Sequence, residues 1–311
     1  MPNLSIVIPV YFNEENLPIT YKALKDELDK RQDDLSYEMI FVDDGSGDRS
    51  FEILRHIQKK DKKVRLVRLS RNYGSQMAIL AGIKNATGDC IGCISADLQE
   101  PPELIPRLYD EWLCGYEIVI AAREDREDSL VNKLLSNLFY FVFRTIVSTD
   151  MPKYGYDLFL LDKKVANALS QQKLNNVGLI GQLLQMGYRR KFIPYVRQAR
   201  KIGKSKFTFA KKFKLAIDNI VNFSYIPLRV ISTIGIISSF LSGLFIFYII
   251  INRLFFNIPV QGYATITVLI SFFSGLILFS LGIIGEYIWR IFDVAKNSPE
   301  FLVKEKFGFD L

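Results

Sequence analysis

The residues in this chain best suited to chemistry lie within one stretch, residues 94–103, ISADLQEPPE. The residues before it, 89–94, read as a short apolar strand buried on both faces, as in a parallel sheet. The strand runs out at Ser95, Ala96 and Asp97, and Pro101 and Pro102 then stop the ladder and open a helix. Asp97 and Gln99 are therefore expected at the carboxyl end of a central strand, where open α/β sheets bind ligands. At a spacing of two their side chains point the same way. A carboxylate and an amide oxygen are hard ligands, suited to Mg²⁺ or Mn²⁺. An acidic cap on an ordinary strand-to-helix turn would look the same, so the remaining strand ends have to decide.

Those ends come from a regular alternation. Residues 4–10 form an apolar strand ended by Pro9, followed by Tyr11, Glu14 and Glu15, with Asn13 as helix cap. The helix to Lys30 carries Leu17, Tyr21, Leu24 and Leu28 at helical spacing. Strands at 37–42 and 64–69, helices at 51–60 and 76–85, a helix to Trp112 and a strand at 117–122 follow, with another apolar strand at 158–161. This pattern predicts an α/β domain with a doubly wound, mainly parallel sheet. Tyr11, Asp43 and Asp44, Asp97 and Gln99, and Arg123 all follow strands, so one sheet edge collects them and favours a nucleotide site. Neither G-x-G-x-x-G nor G-x-x-x-x-G-K-[ST] occurs, which leaves a dinucleotide fold or a P-loop without support.

Composition narrows the classes further. The 311 residues are 49% hydrophobic with a net charge of +7, and the apolar content is concentrated after residue 225. Cys90, Cys93 and Cys114 make no disulfide framework, and the first two fall on opposite faces of one strand. His56 is the one histidine and lies among Lys and Arg, so no histidine-based triad or metal site is available. No basic leader opens the chain, so no signal peptide is expected. Residues 131–147 are apolar and aromatic but interrupted by Arg144, which fits a core helix or one lying in a membrane interface.

Residues 200–206, RKIGKSK, form a basic glycine-containing loop, and 207–220 an amphipathic helix bearing lysines. Together they read as a membrane-surface signature. Residues 230–251 and 264–285 are free of charge, and each is long enough to cross a bilayer. Lys and Arg crowd before the first run and after the second, predicting a hairpin with both termini in the cytoplasm of a plasma-membrane protein. Basic residues flanking apolar spans also argue against a nucleic-acid partner. The expected division is a catalytic domain at 1–198, a juxtamembrane segment at 199–227, the hairpin at 228–292 and a tail at 293–311.

PVYFNEENL at 9–17, VDDGS at 42–46, SRNYGSQMA at 70–78, SADLQEPPE at 95–103 and RKIGKSK at 200–206 resemble the GT-A glycosyltransferases of family 2. The nearest branch is the polyprenyl-phosphate glycosyltransferases, which include dolichol-phosphate mannose synthases and bactoprenol glucosyltransferases. The resemblance implies a GT-A fold and inverting transfer of a sugar from a sugar nucleotide to a polyprenyl phosphate. It implies that Pro9, Tyr11 and Glu14 or Glu15 border the nucleoside, with Asp43 and Asp44 at base and ribose. An Asp-x-Asp motif of such enzymes stands here as Ser95-Ala96-Asp97, so a cation would rest on Asp97, with Gln99 and the diphosphate completing its shell. Arg123 would touch donor phosphate or acceptor, and Arg200, Ser205 and Lys206 would close over the pyrophosphate. Asp157 matches the catalytic base. UDP-glucose is the donor implied by the branch, with GDP-mannose or a UDP-linked modified pentose as alternatives.

Two other readings stay in view. A processive polysaccharide synthase would carry Q-x-x-R-W, and neither Trp112 nor Trp289 sits in that motif. A catalytically silent nucleotide-binding membrane subunit would explain the missing first aspartate. The aromatic 138–147 segment and the apolar helices also offer surfaces for a homo-oligomer.

Overall fold

The computed structural model describes residues 3–124, 144, 152, 155–172, 179–198, 226–255, 262–296 and 298–309. The chain divides into two units, Met1–Asn219 with Pro299–Leu311, and Ile220–Ser298.

In the first unit an eight-stranded sheet runs, edge to edge, through β7 (Arg190–Tyr195), β5 (Ile118–Arg123), β6 (Tyr156–Asp162), β4 (Cys90–Cys93), β1 (Asn3–Val10), β2 (Ser36–Asp43), β3 (Val64–Leu69) and β8 (Val303–Phe307). At its centre β1 (Asn3–Val10) pairs in parallel with β2 (Ser36–Asp43) and with β4 (Cys90–Cys93), and β2 pairs in parallel with β3 (Val64–Leu69). These strands are buried on both faces, and the alternation of β1 shows why. Leu4, Ile6, Ile8 and Val10 join one apolar core, and Val7 joins the other. The first core is covered by α1 (Leu17–Asp29), α2 (Ser50–Lys60) and α4 (Leu104–Leu113). The second lies under α3 (Ser75–Asn85), α5 (Lys163–Gln171) and α6 (Leu179–Gln185). The result is a three-layer α/β sandwich with the mainly parallel sheet that the strand–helix alternation predicts, and it is GT-A-like as the family resemblance implies.

Beyond β4 the order stops following the sequence. β6 (Tyr156–Asp162) lies antiparallel between β4 and β5 (Ile118–Arg123), and β7 (Arg190–Tyr195) runs parallel to β5. Reversal of β6 has a functional consequence. Its first residues, Tyr156 and Asp157, reach the same edge as the last residues of β1, β2, β4, β5 and β7.

Several local readings are corrected. Pro9 does not end β1: it sits within the strand opposite Val42. The pairing of β1 with β4 stops at Val7 and Cys93, so the side to which Pro9 would have donated carries no ladder bond to lose. Asn13 does not cap α1, which starts at Leu17 with a proline in its first turn; the Asn13 Oδ1 instead accepts the Tyr11 N–H at 3.1 Å. Cys90 and Cys93 do fall on opposite faces, one in each core. Burial pushes both thiols up, as inert structural cysteines require.

The second unit holds α7 (Ile226–Phe255, 30 residues) and α8 (Tyr263–Ala295, 33 residues). Both are long and apolar enough to cross a membrane, over Ile226–Phe245 and Phe272–Ala295, and neither stretch is buried within the structure. Residues 293–311, expected as a tail, contain a further strand, β8 (Val303–Phe307), antiparallel to β3. The 131–147 segment apart from Arg144, the loop at 200–206 and the helix expected at 207–220 lie outside the described residues.

Candidate active site

The carboxyl edge of the sheet gathers two clusters. The first surrounds the aspartates that follow β2. Asp43 is fully buried; its Oδ1 accepts the Ser46 N–H at 3.1 Å, and Oδ2 faces Arg68 at 3.4 Å. Burial raises the carboxyl above its ordinary range, while Ser46 and Arg68 draw it back. Asp44 accepts the backbone N–H groups of Tyr73 at 2.7 Å and Gly74 at 2.9 Å, one on each oxygen. Burial nevertheless pushes it up to about 6. Asp44 thus ties the 70–74 loop to the end of β2. Gly45 makes this possible: its φ is +69°, and a Cβ there would come within 2.6 Å of the Arg71 backbone.

Across from this pair, Tyr11 and Phe12 leave the end of β1 half-exposed with their rings edge to face at 4.7 Å. The Phe12 N–H donates to Ser46 Oγ at 3.1 Å, and Glu14 accepts the Arg49 N–H at 2.9 Å, so the turn is laced to the loop after β2. An exposed aromatic pair beside buried carboxylates is a fitting surface for a nucleoside, which presents a flat face and hydroxyl donors.

The second cluster surrounds residues 95–100. Here the chain is a turn and not an extended strand: Leu98 has φ 53°, and Asp97 Oδ1 accepts both Ser95 Oγ–H at 2.9 Å and the Gln99 N–H at 3.3 Å. The period-two argument for Asp97 and Gln99 therefore does not hold; a side-chain turn places them. Ala96 is buried, and its carbonyl accepts Thr20 Oγ1–H at 2.8 Å. Gln99 Oε1 accepts from the Arg197 guanidinium at 2.7 Å. Two strands away Arg123 grips Asp157 through two hydrogen bonds, one of 2.5 Å from Nε, and Tyr195 Oη–H donates to Asp157 at 2.9 Å. Arg197 lies 3.5 Å from the same carboxylate. Burial opposes the charge on Asp157, but Arg123 first, then Arg197 and Tyr195, hold its carboxyl below the usual range.

The structure therefore brings together most of the residues singled out in the sequence: Pro9, Tyr11, Glu14, Asp43, Asp44, Ser95, Ala96, Asp97, Gln99, Arg123 and Asp157. Arg200, Ser205 and Lys206 fall outside the described residues. Three members were not foreseen: Glu100, Tyr195 and Arg197. Glu100 is fully buried, accepts from the Ser95 hydroxyl, and is pushed up to about 7 by burial and by the Asp157 charge. A shallow depression lined by Trp112, Tyr116, Glu117, Asp162 and Arg189 shares none of these residues.

A divalent cation would find a sparse protein shell here. No three His, Cys, Asp or Glu side chains converge among the described residues; at the turn Asp97 is buried but for 9% of its surface and Glu100 completely. That donor set fits Mg²⁺ or Mn²⁺ held by one carboxylate, with phosphate oxygens and water supplying the rest. Ligation by Gln99 would have to exchange its bond to Arg197. Asp43 Oδ2, Glu100 Oε1 and Arg197 Nε are buried without a hydrogen bond among the described residues, though Arg68 lies 3.4 Å from the first and the other two face each other at 3.8 Å.

Comparison with known proteins agrees with this geometry. The profile of Glycosyl transferase family 2 matches residues 5–184. An uncharacterized glycosyltransferase of Bacillus subtilis, YkcC, is 38% identical over 98% of this chain and 94% of its own length. The bactoprenol glucosyl transferase of Shigella phage SfII is 33% identical over 97% of both chains, and a prophage bactoprenol glucosyl transferase homolog of Escherichia coli 31% identical over 97% and 98%.

Proposed function

Because the chain belongs to glycosyl transferase family 2, we propose that it transfers glucose from UDP-glucose to undecaprenyl or a similar polyprenyl phosphate, with inversion, at the cytoplasmic face of a membrane. Full-length similarity to proteins named bactoprenol glucosyl transferases supports glucose as the sugar and a polyprenyl lipid as the acceptor. Two apolar helices support a site beside a bilayer, since an isoprenoid tail does not leave it. GDP-mannose is the alternative donor. The observation that carries the reading is the Arg123–Asp157 pair on the same sheet edge as Asp97.

The chain's residues divide the work. Tyr11, Asp43 and Asp44 take the nucleoside, Pro9 and Glu14 shape its border, and the 95–97 turn faces the diphosphate. Arg200, Ser205 and Lys206 would bind the phosphates, as the family resemblance implies. Asp97 would hold a divalent cation, which when bound would supply neutralisation of the charge that grows on the departing diphosphate. An acceptor phosphate oxygen forms the new bond to the anomeric carbon as the bond to UDP breaks, and the electron pair leaves on UDP. Such a phosphate is already largely dianionic at neutral pH, its second pKa being about 6. A strong base is therefore unnecessary. Asp157, clamped by Arg123 and held acidic, suits orientation of that guanidinium toward the acceptor phosphate better than proton abstraction.

Membranes containing the protein, supplied with polyprenyl phosphate and Mn²⁺, should move labelled glucose from UDP-glucose into lipid; transfer from none of UDP-glucose, GDP-mannose or UDP-galactose overturns the reading. Asp157→Asn should lower kcat by about 100-fold or more and raise KM for the lipid phosphate. Loss of the acid limb from the kcat–pH profile, with variant and parent converging at low pH, would instead make Asp157 a base.

A further inference from the structure

The last strand in the sequence lies against the side of the sheet that carries the Asp43–Asp44 cluster. β8 pairs Leu66 with Phe307, Val67 with Lys306, Arg68 with Glu305 and Leu69 with Val303, with an irregularity between Arg68 and Leu69. It is built into both layers: Phe307 packs on the first core, and Phe301 and Phe309 on the second. Arg55 stacks on the Phe307 ring at 3.4 Å, and Glu300 pairs with Lys84 of α3 at 2.5 Å.

Two contacts run from this strand into the candidate site. The Leu302 carbonyl accepts the Ser70 N–H at 2.9 Å, fixing the start of the 70–74 loop whose other end Asp44 holds. Glu305 accepts from Arg68 at 3.4 Å, and the same guanidinium lies 3.4 Å from Asp43 Oδ2 and 3.9 Å from the Phe51 ring. Arg68 is therefore held from three sides, in a position where it is the counter-charge for an otherwise unbonded oxygen of a fully buried carboxylate.

We propose that Glu305 is a positioning residue for sugar-nucleotide binding: it sets Arg68 against Asp43, so that a strand lying beyond both long helices in sequence completes the donor side of the site. This rests on the reading that Asp43 and Asp44 face the nucleoside. Glu305 itself touches no substrate. Its removal leaves Arg68 with one fewer restraint, and a lysine in its place repels the guanidinium across the 3.4 Å that now separates them.

The test is calorimetric titration of the full-length protein in detergent with UDP and Mn²⁺, with thermal unfolding measured on the same samples. Glu305→Lys should weaken UDP binding about tenfold while the unfolding midpoint stays close to that of the parent, and Glu305→Asp should restore affinity. Glu305→Lys binding UDP as the parent does would overturn the proposal and leave the donor reading intact. Loss of affinity only in step with loss of folding would also overturn it, reducing β8 to structural support. A parent chain that binds neither UDP nor GDP would overturn the donor reading, and this inference with it.

Discussion

Asp44 carries two opposed demands. Both of its oxygens accept backbone amides of the 70–74 loop, yet burial pushes the carboxyl up to about 6 from an ordinary 3.8. A carboxyl whose folded value is raised favours the folded state in its protonated form. Its stabilisation is complete below about 4, declines as pH rises toward about 6, and is gone above that. Asparagine does not titrate, but its NH₂ replaces one of the two oxygens that accept the Tyr73 and Gly74 amides, so Asp44→Asn should be less stable than the parent near pH 4. The parent's advantage should shrink by on the order of 2–3 kcal/mol between pH 4 and pH 7 as its proton-linked stabilisation is lost, and the variant should lose nucleotide affinity. Chemical denaturation at the two pH values checks this, and a difference between the two proteins that is the same at both contradicts it. Asp43, Asp44, Asp97 and Arg123 were legible because each follows an apolar run at a strand end. Glu100 was hidden because an acid ahead of two prolines reads as turn chemistry. Tyr195 and Arg197 were hidden with the strand that delivers them.

Elements were legible in proportion to their periodicity. The parallel core from β1 to β5 reads directly, since its strands are continuous apolar runs between amphipathic helices. β7, RKFIPY, mixes charge with a proline, and β8, VKEKF, is five residues with two lysines, so neither has the composition of a buried strand. The antiparallel setting of β6 between β4 and β5 depends on tertiary pairing that no local pattern encodes. Close packing gives this level its own test. α3 approaches β1 so tightly that a Cβ on Gly82 would lie 2.2 Å from Val7 Cγ1. Gly82→Ala should therefore cost about 1–3 kcal/mol despite alanine's better helix propensity, read as a lower midpoint in denaturant. An unchanged or higher midpoint would mean that α3 lifts from the sheet without penalty.

At the scale of the whole molecule, the proposed orientation, with the first unit in the cytoplasm, rests on the +7 charge and on two uncharged runs flanked by Lys and Arg. Cys114 is exposed whereas Cys90 and Cys93 are buried, so the natural chain carries its own topological reporter. A membrane-impermeant maleimide should label Cys114 in inverted vesicles and leave it untouched in intact cells; the reverse pattern would invert the orientation. The position of β8 also bears on how the molecule is made. Until the ribosome has passed both long helices, β3 has an unpaired flank, a ready template for strands of other chains. Synthesis that stalls between α7 and α8 would thus release a sticky, half-finished sheet, and swift passage of the nascent chain into the lipid becomes a safeguard against aggregation.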